Sequence, residues 1–239
     1  MRLFRRRARQ EVPDPRTVWP DQPVPEDPEA AAAEFWRGWF TLLPEVNAAL
    51  GDREPHRVEH ALCRLVAGLH PGLHFSLERG QRAVYALVVT GQEDPALRPY
   101  TDAWRAAAPD EDAIWEYHDS VPPVPDPTGV TVNLGEHRIS LADVRVVAMV
   151  DDVDSVVDVV VHHPRLAGLD EAARSAMTFL PLDATLGERL AGERLRRVEV
   201  AESEPEGAIT LLELRDLVRG LERRLTEKLP ANRESPASE

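Results

Sequence analysis

The chain has 239 residues, 43% of them hydrophobic and 29% charged, which is enough apolar material for a substantial core. It contains no run approaching the roughly 18 apolar residues of a membrane span, and no apolar stretch follows the basic start, so neither a transmembrane helix nor a secretory signal is expected. A net charge of −14 disfavours a nucleic-acid-binding body, the single Cys63 excludes an internal disulfide, and the expected location is the cytoplasm.

The charge is uneven. Residues 1–9 carry Arg2, Arg5, Arg6, Arg7 and Arg9 and no acid, which leaves −19 on residues 10–239. Six prolines between Pro13 and Pro28 then prevent a helix. Residues 1–28 are therefore expected to form a disordered basic and proline-rich arm, able to touch anionic surfaces.

Order is expected from Glu29. Phe35, Trp36, Trp39, Phe40 and Leu43 fall at helical spacing, and Pro44 restarts a helix through Val46, Ala49 and Leu50. This aromatic stripe reads as core. A second helix, Pro55 to Leu69, turns Val58, Leu62, Leu65, Val66 and Leu69 inward.

Next comes a hairpin, Leu73–Arg79 and Arg82–Thr90. A two-residue Gly80-Gln81 turn would set Phe75 opposite Ala86 and Leu77 opposite Val84. That register makes one face apolar (Leu73, Phe75, Leu77, Val84, Ala86, Val88) and leaves a mixed face of His74, Ser76, Glu78, Tyr85, Leu87 and Val89 on the other. A helix from Pro95 through Trp104 leads to a strand at 113–118, which the crossover rule places parallel to Arg82–Thr90.

Prolines 122, 123, 125 and 127 mark a linker. Beyond it lie a small hairpin turning at Gly135-Glu136 (Val130–Leu134, His137–Leu141), strands Val144–Val150 and Val156–His162, a helix over Leu169–Leu180 and a returning strand Leu195–Val200. This second hairpin-helix-strand unit matches the first, with Val157, Val159 and Val161 falling on Val84, Ala86 and Val88, and Val198 and Val200 on Trp115 and Tyr117. The last helix, 209–229, opens with a capping box, Thr210 to Glu213. Its stripe of Leu211, Leu214, Val218, Leu221 and Leu225 suits docking on the sheet or a short coiled coil.

The fold class is therefore α+β. One domain over 29–229 is expected, built of two pseudo-repeated ββαβ units at about 29–121 and 129–203 that form mixed sheet with helices packed on it, an N-terminal helical pair and a C-terminal helix. Residues 230–239 form a disordered tail.

Few motifs suggest chemistry. His56-Arg57-Val58-Glu59-His60 is an H-x-x-E-H string in which His56 and His60 would hold zinc while Glu59 activates water, with Cys63 nearby. The string sits in a helix's first turn, opposite its core face, and no third ligand follows. His162 and His163 end a strand on opposite faces and cannot share a metal. Asp158 needs a partner if covered, and Arg145 on the facing strand is the expected one. Asp151, Asp152 and Asp154 form an acidic turn without the EF-hand pattern. A polar sheet face of His74, Ser76, Glu78, Tyr85, Glu116 and His118 remains as the candidate ligand or partner surface.

The segments Leu69-His70-Pro71-Gly72-Leu73, Trp115-Glu116-Tyr117-His118 and Val160-Val161-His162-His163-Pro164 resemble those of uncharacterised proteins from high-GC Gram-positive bacteria. The resemblance covers about 29–203 and implies no activity. The functional expectation is a binding or interaction module without catalysis or cofactor, whose partner is another protein, in concrete form an immunity or accessory protein that sequesters a basic partner. The alternative is a metal-dependent hydrolase built on the H-x-x-E-H string.

Overall fold

The computed structural model describes residues 23–92 and 94–228. Most of the arm expected at 1–28, and the tail at 230–239, lie outside the described residues. The architecture is α+β, and the chain divides between Pro122 and Pro123, within the proline-rich linker, into two compact units.

In the first unit, α1 (Pro28–Gly51) begins where Asp27 accepts hydrogen bonds from the amides of Glu29 and Ala30. It runs unbroken through Pro44, where a restart was expected. Phe35, Trp39, Val46 and Ala49, on both sides of the proline, are buried in one core, and Pro44 gives up only its bond toward the exposed Phe40. The second helix, α2 (His56–Leu69), buries Val58, Leu62 and Val66 in the same core. The two helices approach closely at Gly38, where a Cβ would stand 2.5 Å from the Leu65 side chain.

Strands β1 (His74–Arg79) and β2 (Tyr85–Thr90) are antiparallel, and after α3 (Arg98–Ala106) strand β3 (Trp115–His118) returns parallel to β2. The crossover rule holds, but the hairpin register does not. Phe75 faces Val89 and Leu77 faces Leu87, with the chain from Gly80 to Val84 forming a wider loop in place of a two-residue turn. The loop is held from a distance: the Glu116 carboxylate accepts from the amides of Gln81, Arg82 and Ala83. Gly80 is required there, since a Cβ would lie 2.6 Å from the Ala83 carbonyl. The core face of β2 is thus Tyr85, Leu87 and Val89, and Ala86 and Val88 turn to the other side.

In the second unit, β4 (Thr131–Leu134) and β5 (His137–Ser140) form the small hairpin as expected, with Gly135 at φ 58°. Strands β6 (Arg145–Asp151), β7 (Val156–His162) and β8 (Leu195–Val200) repeat the order of the first sheet, antiparallel then parallel. The core residues Val157, Val159 and Val161 thus occupy the place of Tyr85, Leu87 and Val89 in the first unit, one residue out of phase with the expected match to Val84, Ala86 and Val88. Helix α4 (Glu171–Leu186) runs past the expected end at Leu180 and through Pro181, and a short α5 (Glu188–Arg194) precedes β8. Burial of Leu182 and Leu186 in the core explains the extension.

Helix α6 (Leu211–Lys228) carries the capping box: Glu213 accepts from the Thr210 amide at 2.7 Å and its own amide donates to Thr210 Oγ1 at 3.3 Å. Leu211, Leu214, Val218 and Leu221 are buried against the second core, so the stripe is used for docking. On the same helix Arg215 is buried and donates to the carbonyls of Val124, Pro125 and Thr185 at 2.6–2.8 Å, tying α6 to α4 and to the segment before β4. Burial pulls this guanidinium below its usual pKa. Among the described residues no helix is long and apolar enough to cross a membrane.

Candidate functional site

The polar face of the first sheet exists, with one member exchanged. His74, Ser76, Glu78, Glu116 and His118 share a face with Ala86, Val88 and Thr90. Tyr85 does not. It pairs with Arg79 and Trp115 on the core side, lies with its ring tilted against that of Trp115 at 5.4 Å, and lines a shallow cleft of about 570 Å³ with Leu50, Leu77, Arg79, Val84 and Ala113. The one-residue change of phase in β2 moved it there.

Glu116 organises the face. Its side chain is 1% exposed and accepts from the amides of Gln81 (2.7 Å), Arg82 (2.9 Å) and Ala83 (3.1 Å) and from His118 Nε2–H (3.1 Å), with Arg82 Nε at 3.8 Å. Burial opposes the charge, but the Gln81 amide, His118 and the Arg82 and Ala83 amides together outweigh it and hold the carboxyl at about 2. A carboxylate with so low a pKa and four donors already on it is a weak proton acceptor near neutrality, so its chemical role is anchoring. Arg82, which sits on this anchored loop, also pairs with Glu111 at 2.5 Å, and Glu111 in turn takes Arg105 at 3.0 Å. Ser76 Oγ donates to Glu78 at 2.9 Å. Across the strands Ser76 and His118 flank the fully buried Val88, while His74 lies opposite Thr90.

The H-x-x-E-H string lies on the first turns of α2, with His56 and His60 exposed and Glu59 half-buried. Burial, then the nearby Glu59 charge, raises the Cys63 thiol pKa, which makes the thiolate scarcer. Among the described residues no group of three or more His, Cys, Asp and Glu side chains is arranged to hold a metal ion.

Asp158 is paired, but not by Arg145. The β6–β7 register sets Met149 opposite Asp158 and Arg145 opposite His162, and the Arg145 guanidinium donates to the carbonyls of Ala142 and Val144. A register shift between Val157 and Asp158 along β8 brings Arg196 onto Asp158 as a two-pronged pair at 2.8 and 3.0 Å, and the same guanidinium reaches Asp151 at 3.0 Å and Asp154 at 3.5 Å. Arg196 keeps the Asp158 carboxyl below its usual range; at Asp151 the Asp154 amide is the larger cause and Arg196 the second. With Arg224 also 3.6 Å from Asp152, two guanidinium groups offset part of the charge of the four carboxylates in and beside the acidic turn.

His162 and His163 are both buried and separately used. His162 Nδ1–H donates to the Ala201 carbonyl at 3.2 Å, while His163 Nε2–H donates to the Ser140 carbonyl at 3.2 Å and its Nδ1 accepts from the Arg165 amide at 3.0 Å. That pattern needs a neutral His163, and burial pulls its pKa down. Arg196 and Arg215 had no motif to reveal them, and His163 was singled out only as a member of the His162-His163 pair.

The chain matches no family model, no curated protein and no solved structure, so its function is argued from its own geometry.

Proposed function

We propose that this protein is a non-catalytic interaction module that binds a basic protein partner, in concrete form as an immunity or accessory protein. The observation that carries this reading is the acid excess on both units: 17 acidic against 8 basic side chains over 23–122, and 22 against 14 over 123–239. Such a surface raises the encounter rate of a cationic partner and repels phosphate backbones. The internal use of Glu116 and of the Asp151–Asp158 cluster supports only the non-catalytic part of this reading, since these carboxylates serve the fold and are already bonded.

Affinity purification from the native cell with mass spectrometry identifies the partner, and stopped-flow association at rising salt tests the reading. The association rate is expected to fall steeply as the screening length shrinks from about 10 Å at 0.1 M to about 3 Å at 1 M. Replacing the exposed Glu202 and Glu206 with lysine is expected to slow association further while leaving dissociation nearly unchanged. An association rate indifferent to both would overturn it.

A further inference from the structure

The two three-stranded sheets have four edge strands, β1, β3, β6 and β8. Strand β8 is guarded by the exposed Arg196, Arg197 and Glu199 and β1 by the exposed Glu78 and Arg79, whereas β6 carries charge only at its two ends, Arg145 and Asp151. Strand β6 has no charged residue from Val146 to Val150, and Met149 is 53% exposed there.

This edge is open in a defined register. Val146 exchanges both backbone hydrogen bonds with Ile209, at 2.9 and 2.8 Å, on the side away from β7. Residues two apart on an antiparallel strand point the same way, so Ala148 and Val150 present their N–H and C=O groups along the same side. Continued antiparallel, the Ile209 segment would put Gly207 opposite Ala148 and Pro205 opposite Val150. It does not continue: Gly207 turns away at φ 75°, and Pro205 has no N–H to offer. Among the described residues no backbone group takes up Ala148 or Val150 on that side. The segment that leaves the edge carries Glu202 and Glu206, both exposed and neither in an ion pair among the described residues, and Val153, in the β6–β7 turn, is 94% exposed.

We propose that the β6 edge is where an extended basic segment of the protein partner docks, adding a strand that pairs with Ala148 and Val150. Apolar side chains of that segment meet Met149 and Val153, and its cationic ones meet Glu202 and Glu206. The inference rests on the basic-partner reading and adds the mode of recognition to it.

The probe is a capped heptapeptide of alternating arginine and valine, titrated into the full chain. Its counterparts are the same peptide N-methylated at every second amide and one with glutamate in place of arginine. Amide hydrogen exchange is expected to slow about tenfold or more at Ala148 and Val150 with the arginine peptide. Binding is expected to weaken about tenfold on N-methylation and in Val150→Pro, each removing backbone pairing of the order of 1.4 kcal/mol. If Val150→Pro unfolds the chain, the N-methylated peptide carries the same test. Unchanged exchange at both residues, or equal binding of the N-methylated peptide, would refute strand addition while leaving the basic-partner reading intact. Equal binding of the glutamate peptide would sink the basic-partner reading itself, and protection that grows with protein concentration without peptide would assign the edge to a second copy of this chain.

Discussion

Glu116→Gln tests the anchor that sets the first sheet's register. The folded carboxyl sits at about 2 against an ordinary 4.5, and each pKa unit corresponds to about 1.36 kcal/mol, so its ionised form contributes about 3 kcal/mol. The sign follows from the depressed pKa: the contribution is complete above about pH 4.5 and is lost as pH falls from there toward 2. Glutamine keeps the shape but brings an NH₂ group against amide donors, so at least one of the Gln81, Arg82 and Ala83 N–H groups loses its partner. Urea unfolding followed by tryptophan fluorescence reports on this unit, because four of the chain's five tryptophans, Trp36, Trp39, Trp104 and Trp115, lie in its core and residues 123–239 have none, while the fifth, Trp19, lies outside the described residues. The variant is expected to be about 3 kcal/mol less stable at pH 7 and to converge on the natural protein, within about 1 kcal/mol, near pH 2. A difference that stays constant with pH, or that is below about 1 kcal/mol at pH 7, would refute the anchoring argument.

Two further outcomes follow from the second unit. In double-mutant cycles, Asp158→Asn is expected to be coupled to Arg196→Met and additive with Arg145→Met; the reverse result would mean that Arg196 does not hold the acidic turn. His163 is depressed on folding, so the unfolded chain takes the proton first. Stability is therefore expected to fall as pH drops below about 6.5, and thermal unfolding of His163→Gln is expected to show a weaker dependence between pH 7 and 5 than the natural protein; an identical dependence in the two would place the titration elsewhere.

The amino-acid sequence by itself determined which stretches become elements, and of which type, because those choices are local. The 3.6-residue spacing of Val58, Leu62 and Val66 makes α2, Gly135-Glu136 closes the small hairpin, and Thr210 with Glu213 starts α6. The parallel return of β3 was legible too, since a crossover has one favoured hand. What only the tertiary structure decided were matters in which two local answers were equally apolar. Residues 84–89 offer a core face as Val84, Ala86 and Val88 or as Tyr85, Leu87 and Val89, and a carboxylate more than thirty residues away in sequence, at Glu116, settles the choice by widening the loop. That choice also took Tyr85 off the polar face and left Glu116 and His118 on it. Arg196 displaced Arg145 as the partner of Asp158 because an irregularity between β7 and β8 changed which side chains meet. Helices α1 and α4 run through Pro44 and Pro181 because the burial of residues beyond each proline outweighs one missing hydrogen bond, a balance that depends on what packs against the helix.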